Sequence, residues 1–130
     1  RAKDIDGIIV GHAHLDHSGG VPLFYLNEKK PVFATRTTSE LMKILIKDMI
    51  KLNSYYLPFE YMELEKMQLQ RNDLPYGQKV QLKDAKFQLL DAGHIPGSAM
   101  VDIEVNGKKI LYTSDFNTVN TRLTSAAKIP

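Results

Sequence analysis

Apolar and polar positions alternate along this chain with a period that changes from segment to segment. The run Ile5 to Val10 predicts a buried strand. Val21 to Asn27 reads as a short helix ending near Lys29-Lys30, and Pro31 to Thr35 as a second strand. Thr37 followed three residues later by Glu40 has the form of a capping box. The helix it would open places Leu41, Ile44, Leu45, Met49 and Leu52 on one stripe and Lys43, Lys47 and Lys51 on another, as expected of a helix packed on a sheet. Asn53 to Leu69 holds Tyr55, Tyr56, Phe59, Tyr61 and Met62. Aromatic side chains favour core packing around a helix that restarts near Pro58, over a groove in which bases stack. In the last third, Lys79 to Leu82, Lys86 to Asp91 and Met100 to Val105 read as strands, and Asn106-Gly107 is a hairpin signal leading into Lys109 to Thr113. Helices alternate with strands early and hairpins dominate late, so the expected class is α/β (mixed α+β), with sheets covered by helices.

The 130 residues form one domain by size, with 43% hydrophobic and 25% charged positions, in the range of soluble globular chains. A formal charge of +2 points only weakly toward anionic partners, and Lys29-Lys30 and Lys108-Lys109 read as solvated turns. The chain has no cysteine, so disulfides and thiolate metal sites are excluded and any metal must be held by histidine and carboxylate. That composition is compatible with a cytoplasmic protein. No apolar stretch is long enough to span a bilayer. The first residue is arginine, and the expectation is that a longer protein begins upstream.

The densest chemistry lies in Gly11-His12-Ala13-His14-Leu15-Asp16-His17-Ser18-Gly19-Gly20, which carries three of the four histidines and a carboxylate directly after the first strand. Imidazole and carboxylate oxygen are both competent zinc ligands. Six positions cannot wrap four ligands around one ion without strain, but they can offer two ligands to each of two neighbouring ions. His12 and His14 would point the same way from a strand end, with Asp16 and His17 on the next turn. The pattern reads as half of a dinuclear site; a mononuclear site with three or four ligands stays open on spacing alone. Ala92-Gly93-His94-Ile95-Pro96-Gly97-Ser98-Ala99 sets the fourth histidine between two glycines that permit a tight backbone path. Tyr112-Thr113-Ser114-Asp115-Phe116 sets an aspartate at a strand end, where burial would demand a partner.

In that order and at those intervals, HAHLDHSGG, AGHIPGSAM and YTSDF resemble the metallo-β-lactamase superfamily over essentially the whole chain. Gly-His-x-x-Gly-Ser-Ala followed by Ser-Asp-Phe-Asn is similar to the β-CASP branch, the nucleases of RNA 3′-end processing and the ribonuclease J group. The resemblance implies a metallo-β-lactamase-like αββα sandwich, incomplete in this chain. Residues 1–130 would be a partial domain lacking the family's opening strands and its β-CASP domain. It implies that His12, His14 and His94 bind one zinc, that Asp16 and His17 bind a second, and that Asp115 bridges both, with Asp16, His17 and Asp115 at the catalytic centre. The two ions in such sites lie about 3.5–4 Å apart. Ser18 and Ser98 would support the histidines rather than act as nucleophiles.

The implied function is zinc-dependent hydrolysis of RNA phosphodiester bonds, in mRNA 3′-end processing or RNA turnover. Single-stranded RNA is the implied substrate, and a homodimer or a processing complex the implied assembly. Three departures qualify it. The family's last zinc histidine has no counterpart among the histidines present, the substrate clamp lies outside these residues, and Ser114 stands where relatives commonly have glycine. The competing expectations are a hydrolase of small thioesters or esters of the glyoxalase II type, against which the Gly-Ser-Ala block argues, and a non-catalytic RNA-processing scaffold, against which the presence of every ligand this segment could carry argues.

Overall fold

A computed structural model describes residues 2–130. Two sheets stack face to face, and the helices cover one of them. The first sheet is parallel, in the order β1 (Ile8–Ile9), β2 (Val32–Ala34), β3 (Arg71–Asp73), with Ile8 opposite Val32 and Phe33 opposite Asn72. Parallel neighbours need long crossovers, and helices supply them here. The short α1 (Leu15–Ser18) and a 3-10 turn at Val21–Tyr25 lie between β1 and β2, and α2 (Arg36–Asn53) and α3 (Tyr61–Leu69) between β2 and β3. The second sheet is an antiparallel meander of β4 (Val80–Leu82), β5 (Ala85–Asp91), β6 (Ala99–Val105) and β7 (Lys108–Tyr112). Its last hairpin turns at Asn106 and Gly107, both with positive φ (50° and 72°), as the Asn-Gly signal predicts.

Strand alternation divides the interior into two cores. On β2, Val32 and Ala34 face the helices and pack with Val10, Met42, Ile46, Ile50, Leu64 and Met67. Phe33 points the other way, between the sheets, with Leu74, Phe87, Leu89, Ala99 and Val101. Its ring meets Phe87 edge-on at 5.2 Å. A strand covered on both faces is apolar throughout, and every residue of β2 is buried. The far face of the second sheet carries Lys86, Gln88, Asp102, Glu104 and Lys109, a solvated surface. The layers among the described residues are therefore helix, sheet, sheet: three of the four in an αββα sandwich, in a mixed α/β fold. Among these residues no helix is long and apolar enough to cross a membrane.

Four local expectations are revised. The first strand pairs only at Ile8–Ile9, because its neighbour β2 is itself short. The cap of α2 is Thr35, whose hydroxyl accepts a hydrogen bond from the Thr38 N–H at 3.2 Å, so Thr37 and Glu40 lie inside the first turns. A true capping box opens α3 instead, where Glu60 and Glu63 each accept from the other's backbone. The buried line of α2 runs Thr38, Met42, Ile46, Ile50, with Leu41, Leu45 and Met49 on its flank, while Ile44 and Leu52 face water. Apolar residues ring more than half of this helix, so periodicity alone admits several rotations and the sheet selects one. Core packing holds for Phe59 but not for Tyr61 and Met62, which are exposed, nor for Tyr55 and Tyr56, which are 90% and 83% exposed.

This rotation is checked by truncating one residue on each line. Ile46→Ala removes a fully buried side chain, with an expected loss of about 2–5 kcal/mol in urea unfolding. Leu52→Ala, at a position 79% exposed, is expected to stay within about 0.5 kcal/mol of the parent.

Candidate metal centre

Three loops at one end of the sandwich carry the chemistry. The first leaves β1 as Val10 N–H donates to Phe33 O at 2.9 Å, and Gly11 O accepts from Ala99 N–H at 2.7 Å, tying the two sheets together. The chain then runs without regular structure through His12, Ala13 and His14 before α1 begins, with the His17 and Ser18 N–H groups donating to His14 O at 3.0 and 2.9 Å. Ser18 is fully buried, and its hydroxyl lies within hydrogen-bond distance of Ala13 O (2.9 Å) and His14 O (3.0 Å), clamping the strand-to-helix turn.

The second loop joins β5 to β6. Gly93 and Gly97 have φ of +67° and +84°, values that only glycine adopts freely. The buried Ser98 hydroxyl accepts from the His94 and Ile95 N–H groups at 3.1 and 3.2 Å, folding the loop over His94. Gly97 O accepts from the Thr35 and Thr38 hydroxyls at 2.6 and 2.8 Å, so the loop is docked on the start of α2. A Cβ at Gly97 would lie 2.7 Å from the Thr37 Cβ.

The third loop follows β7. Ser114 adopts φ +52°, the left-handed conformation that a glycine would take without strain. The segment after Asp115 is pinned by Asn117 N–H to Ala92 O (2.9 Å), Thr124 hydroxyl to Gly93 O (2.8 Å) and Lys128 N–H to Asp91 O (3.0 Å).

These loops bring together donor atoms of His12, His14, His94 and Asp115, all within 4.8 Å of one another. His12 Nε2 lies 3.0 Å from His14 Nδ1, and His94 Nε2 lies 3.3 Å from the same atom. Four ligands around zinc with bonds of about 2.0–2.1 Å stand about 3.3 Å apart, so this spacing fits such an ion. One Asp115 oxygen, Oδ2, lies 3.8 Å from His12 Nε2 and 3.7 Å from His94 Nε2. The other, Oδ1, lies 3.6 Å from His17 Nε2, which is 3.7 Å from an Asp16 oxygen. Two groups of donors thus face opposite oxygens of one carboxylate. Asp115 is not the buried aspartate expected from its strand-end position: its side chain is 48% exposed, because the loop after β7 carries it to the rim.

His12 is the anchor. It is fully buried, with Nδ1 3.3 Å from the Ser114 hydroxyl. Burial, then repulsion from His17, His14 and His94, push its pKa down to about 4, with Asp115 opposing. The neutral imidazole, the form that binds metal, is therefore the resting form. Behind the Gly97 loop lies a cavity of about 440 Å³ lined by Thr35, Arg36, Tyr76 and Gly97; the histidine cluster opens at the rim instead. The pattern of ligand types locates the cluster. The supporting contacts of Thr35, Thr38 and the segment after Asp115 are long-range and leave no motif.

The model of the metallo-beta-lactamase superfamily domain matches residues 1–129. A probable RNase from Methanocaldococcus jannaschii is 38% identical over 132 residues, covering 98% of this chain and 31% of that protein. Cleavage and polyadenylation specificity factor subunit 3 of Dictyostelium discoideum is 35% identical, covering 98% of this chain and 17% of that protein. A solved metallo-beta-lactamase with a HARLDQ motif from Cronobacter sakazakii superposes with a TM-score of 0.65 at 26% identity, over 94% of this chain and 49% of its own. The chain thus spans under a third of the curated relatives it matches.

With a chelator present, stability should depend on pH through His12. Its folded pKa is below the unfolded value of 6.5, so unfolding takes up a proton as the pH falls. The contribution is complete above about pH 6.5 and lost as the pH falls through about 4. Urea midpoints across this window should fall in the parent, and fall less steeply in His12→Gln.

Proposed function

The chain belongs to the metallo-beta-lactamase superfamily, and on that premise we propose that it is the metal-binding core of a zinc-dependent ribonuclease acting on single-stranded RNA. The observation that carries the reading is the carboxylate of Asp115 with one oxygen toward His12 and His94 and the other toward His17. In this reading His12, His14 and His94 would hold one zinc and Asp16 and His17 a second, with Asp115 available to both through its two oxygens. Similarity to proteins named as an RNase and as a cleavage and polyadenylation factor supports RNA as the substrate.

Zinc bound there supplies Lewis-acid polarisation of a phosphoryl oxygen and a hydroxide nucleophile at neutral pH. The chain's own residues supply position. Buried His12 sets the floor of the site, and Ser114 against its Nδ1 holds the ring so that Nε2 faces the cluster. Ser18 and Ser98 fix the backbone from which His14 and His94 project. Asp16, His17 and Asp115 stand at the open rim, where a phosphodiester has access, and form the catalytic set of this proposal. Protonation of the leaving ribose oxygen falls, in this reading, to a β-CASP domain of the longer protein. A cytoplasmic setting and partners in a processing complex, or a second copy, belong to the same proposal.

Elemental analysis after dialysis into metal-free buffer tests the site. At least one zinc per chain is expected, rising to two in the longer protein. Ser98→Ala, which removes only the bracing of His94, is expected to weaken zinc binding by about 10–100-fold. In the longer protein, zinc-dependent cleavage of single-stranded RNA should fall by more than about 100-fold in Asp115→Ala, beyond the range of a supporting residue. Retained cleavage in that variant, or turnover of a thioester with none of RNA, would overturn the proposal.

A further inference from the structure

The outer flank of α2 carries a charged row that the metal centre does not use. Lys43, Lys47 and Lys51 are exposed and recur every fourth residue, about 6 Å apart along the axis. No ion pair among the described residues engages them. The same step leads to Tyr55. The helical sense persists past Asn53, since Ser54 keeps φ −52° and ψ −34° and Tyr56 N–H donates to Asn53 O at 2.9 Å. Tyr55 and Tyr56 stand at the end of the row, 90% and 83% exposed, their rings 5.2 Å apart and nearly perpendicular. Tyr61, from α3, borders the row with its hydroxyl 3.4 Å from Lys47 O. The opposite flank of α2 faces the metal loop, where a Cβ at Gly19 would lie 3.4 Å from the Met49 sulfur. The exposed acid nearest in sequence is Asp48, which lies on the neighbouring row with Ile44 and Leu52.

We propose that Lys43, Lys47 and Lys51 with Tyr55 and Tyr56 form a contact surface for single-stranded RNA that is separate from the metal centre and independent of metal. Charge complementarity selects the occupant: a line of unpaired ammonium groups suits a phosphate backbone. Its end presents aromatic faces on which bases stack whatever their sequence. The shape favours nucleic acid over the main alternative. An amphipathic peptide helix seats its apolar face in a groove, whereas this row presents charged heads and protruding rings on the outer face of a helix. Protruding rings need no groove to stack. A strand held here runs along the far flank of α2 from the cluster, so the surface retains RNA rather than presenting the scissile bond. The identity of the nucleic acid rests on the ribonuclease reading; the surface itself does not.

The test is fluorescence anisotropy of the chain with a labelled oligouridine of about 16 nucleotides, in EDTA so that the metal centre cannot contribute. Tyr55→Ala with Tyr56→Ala is expected to weaken binding by at least about fivefold per ring. Lys43→Gln, Lys47→Gln and Lys51→Gln together should lower the slope of log affinity against log salt by about 2. Lys86→Gln with Lys109→Gln, on the far face of the second sheet, should bind as the parent does. Parent-like affinity in the tyrosine variant, with unchanged urea midpoint, overturns the proposal, as does an equal loss of binding in Lys86→Gln with Lys109→Gln. Binding of a polyglutamate peptide in place of the RNA overturns it in favour of a protein partner. Cleavage of the same oligonucleotide by the longer protein with zinc separates the two readings. Binding without cleavage sinks the nuclease alone, and zinc-dependent cleavage with binding indifferent to the tyrosines sinks this surface alone.

Discussion

The structure depends on keeping one imidazole neutral and immobile at the bottom of a cluster of polar groups. His12 has no access to water, and its neighbours are three other histidines and an aspartate. Such a group is tolerated only if its hydrogen-bonding atoms have partners. The Ser114 hydroxyl meets one nitrogen and the cluster meets the other. Those partners come from three parts of the chain: His14 from the same loop, His94 from the β5–β6 loop, and Ser114 and Asp115 from the end of β7. The cluster is therefore a property of the closed sandwich and of no single element.

Closure is enforced by hydrogen bonds to backbone carbonyls where the two sheets and the helical layer meet. Gly11 O takes the Ala99 N–H across the sheets, and Gly97 O takes the hydroxyls of Thr35 and Thr38 from the helical layer. The threonines are buried polar groups, and Thr35 at once caps α2 and grips the loop of His94. A helix start, a strand connection and a metal-type loop thus share one small set of atoms. Disturbing any of them moves His94 relative to His12, which is why the bracing serines and threonines matter to a site they do not line.

Much of this was legible before folding was considered. The histidine-rich loop, His94 between its glycines, and Asp115 after a hairpin are dense in chemistry and short in range, so residue type and spacing expose them. The hairpin at Asn106-Gly107 is equally local. The face of α2 was not legible, because apolar residues surround more than half of its circumference and only the sheet decides which line is buried. β3 escaped notice because Arg71, Asn72 and Asp73 are polar. They form a strand by completing the parallel ladder beside β2, and Arg71 is held there by Asp73 and Glu40. Tyr55 and Tyr56 follow the helix that should have buried them, yet Tyr55 continues its outward lysine row and both rings stand in water.

The sequence by itself determined which side chains can bind metal, the order in which they arrive, and the alternation that divides strands into two cores. Each of these depends on neighbours a few residues apart. Tertiary structure alone decided that His12 lies buried while Asp115 stays at the rim, and that the two oxygens of Asp115 face different donors. It also decided that the lysine row of α2 faces outward, away from the metal loop. These are distances between residues up to a hundred positions apart, and they exist only once the sheets have stacked and the loops have closed on one another.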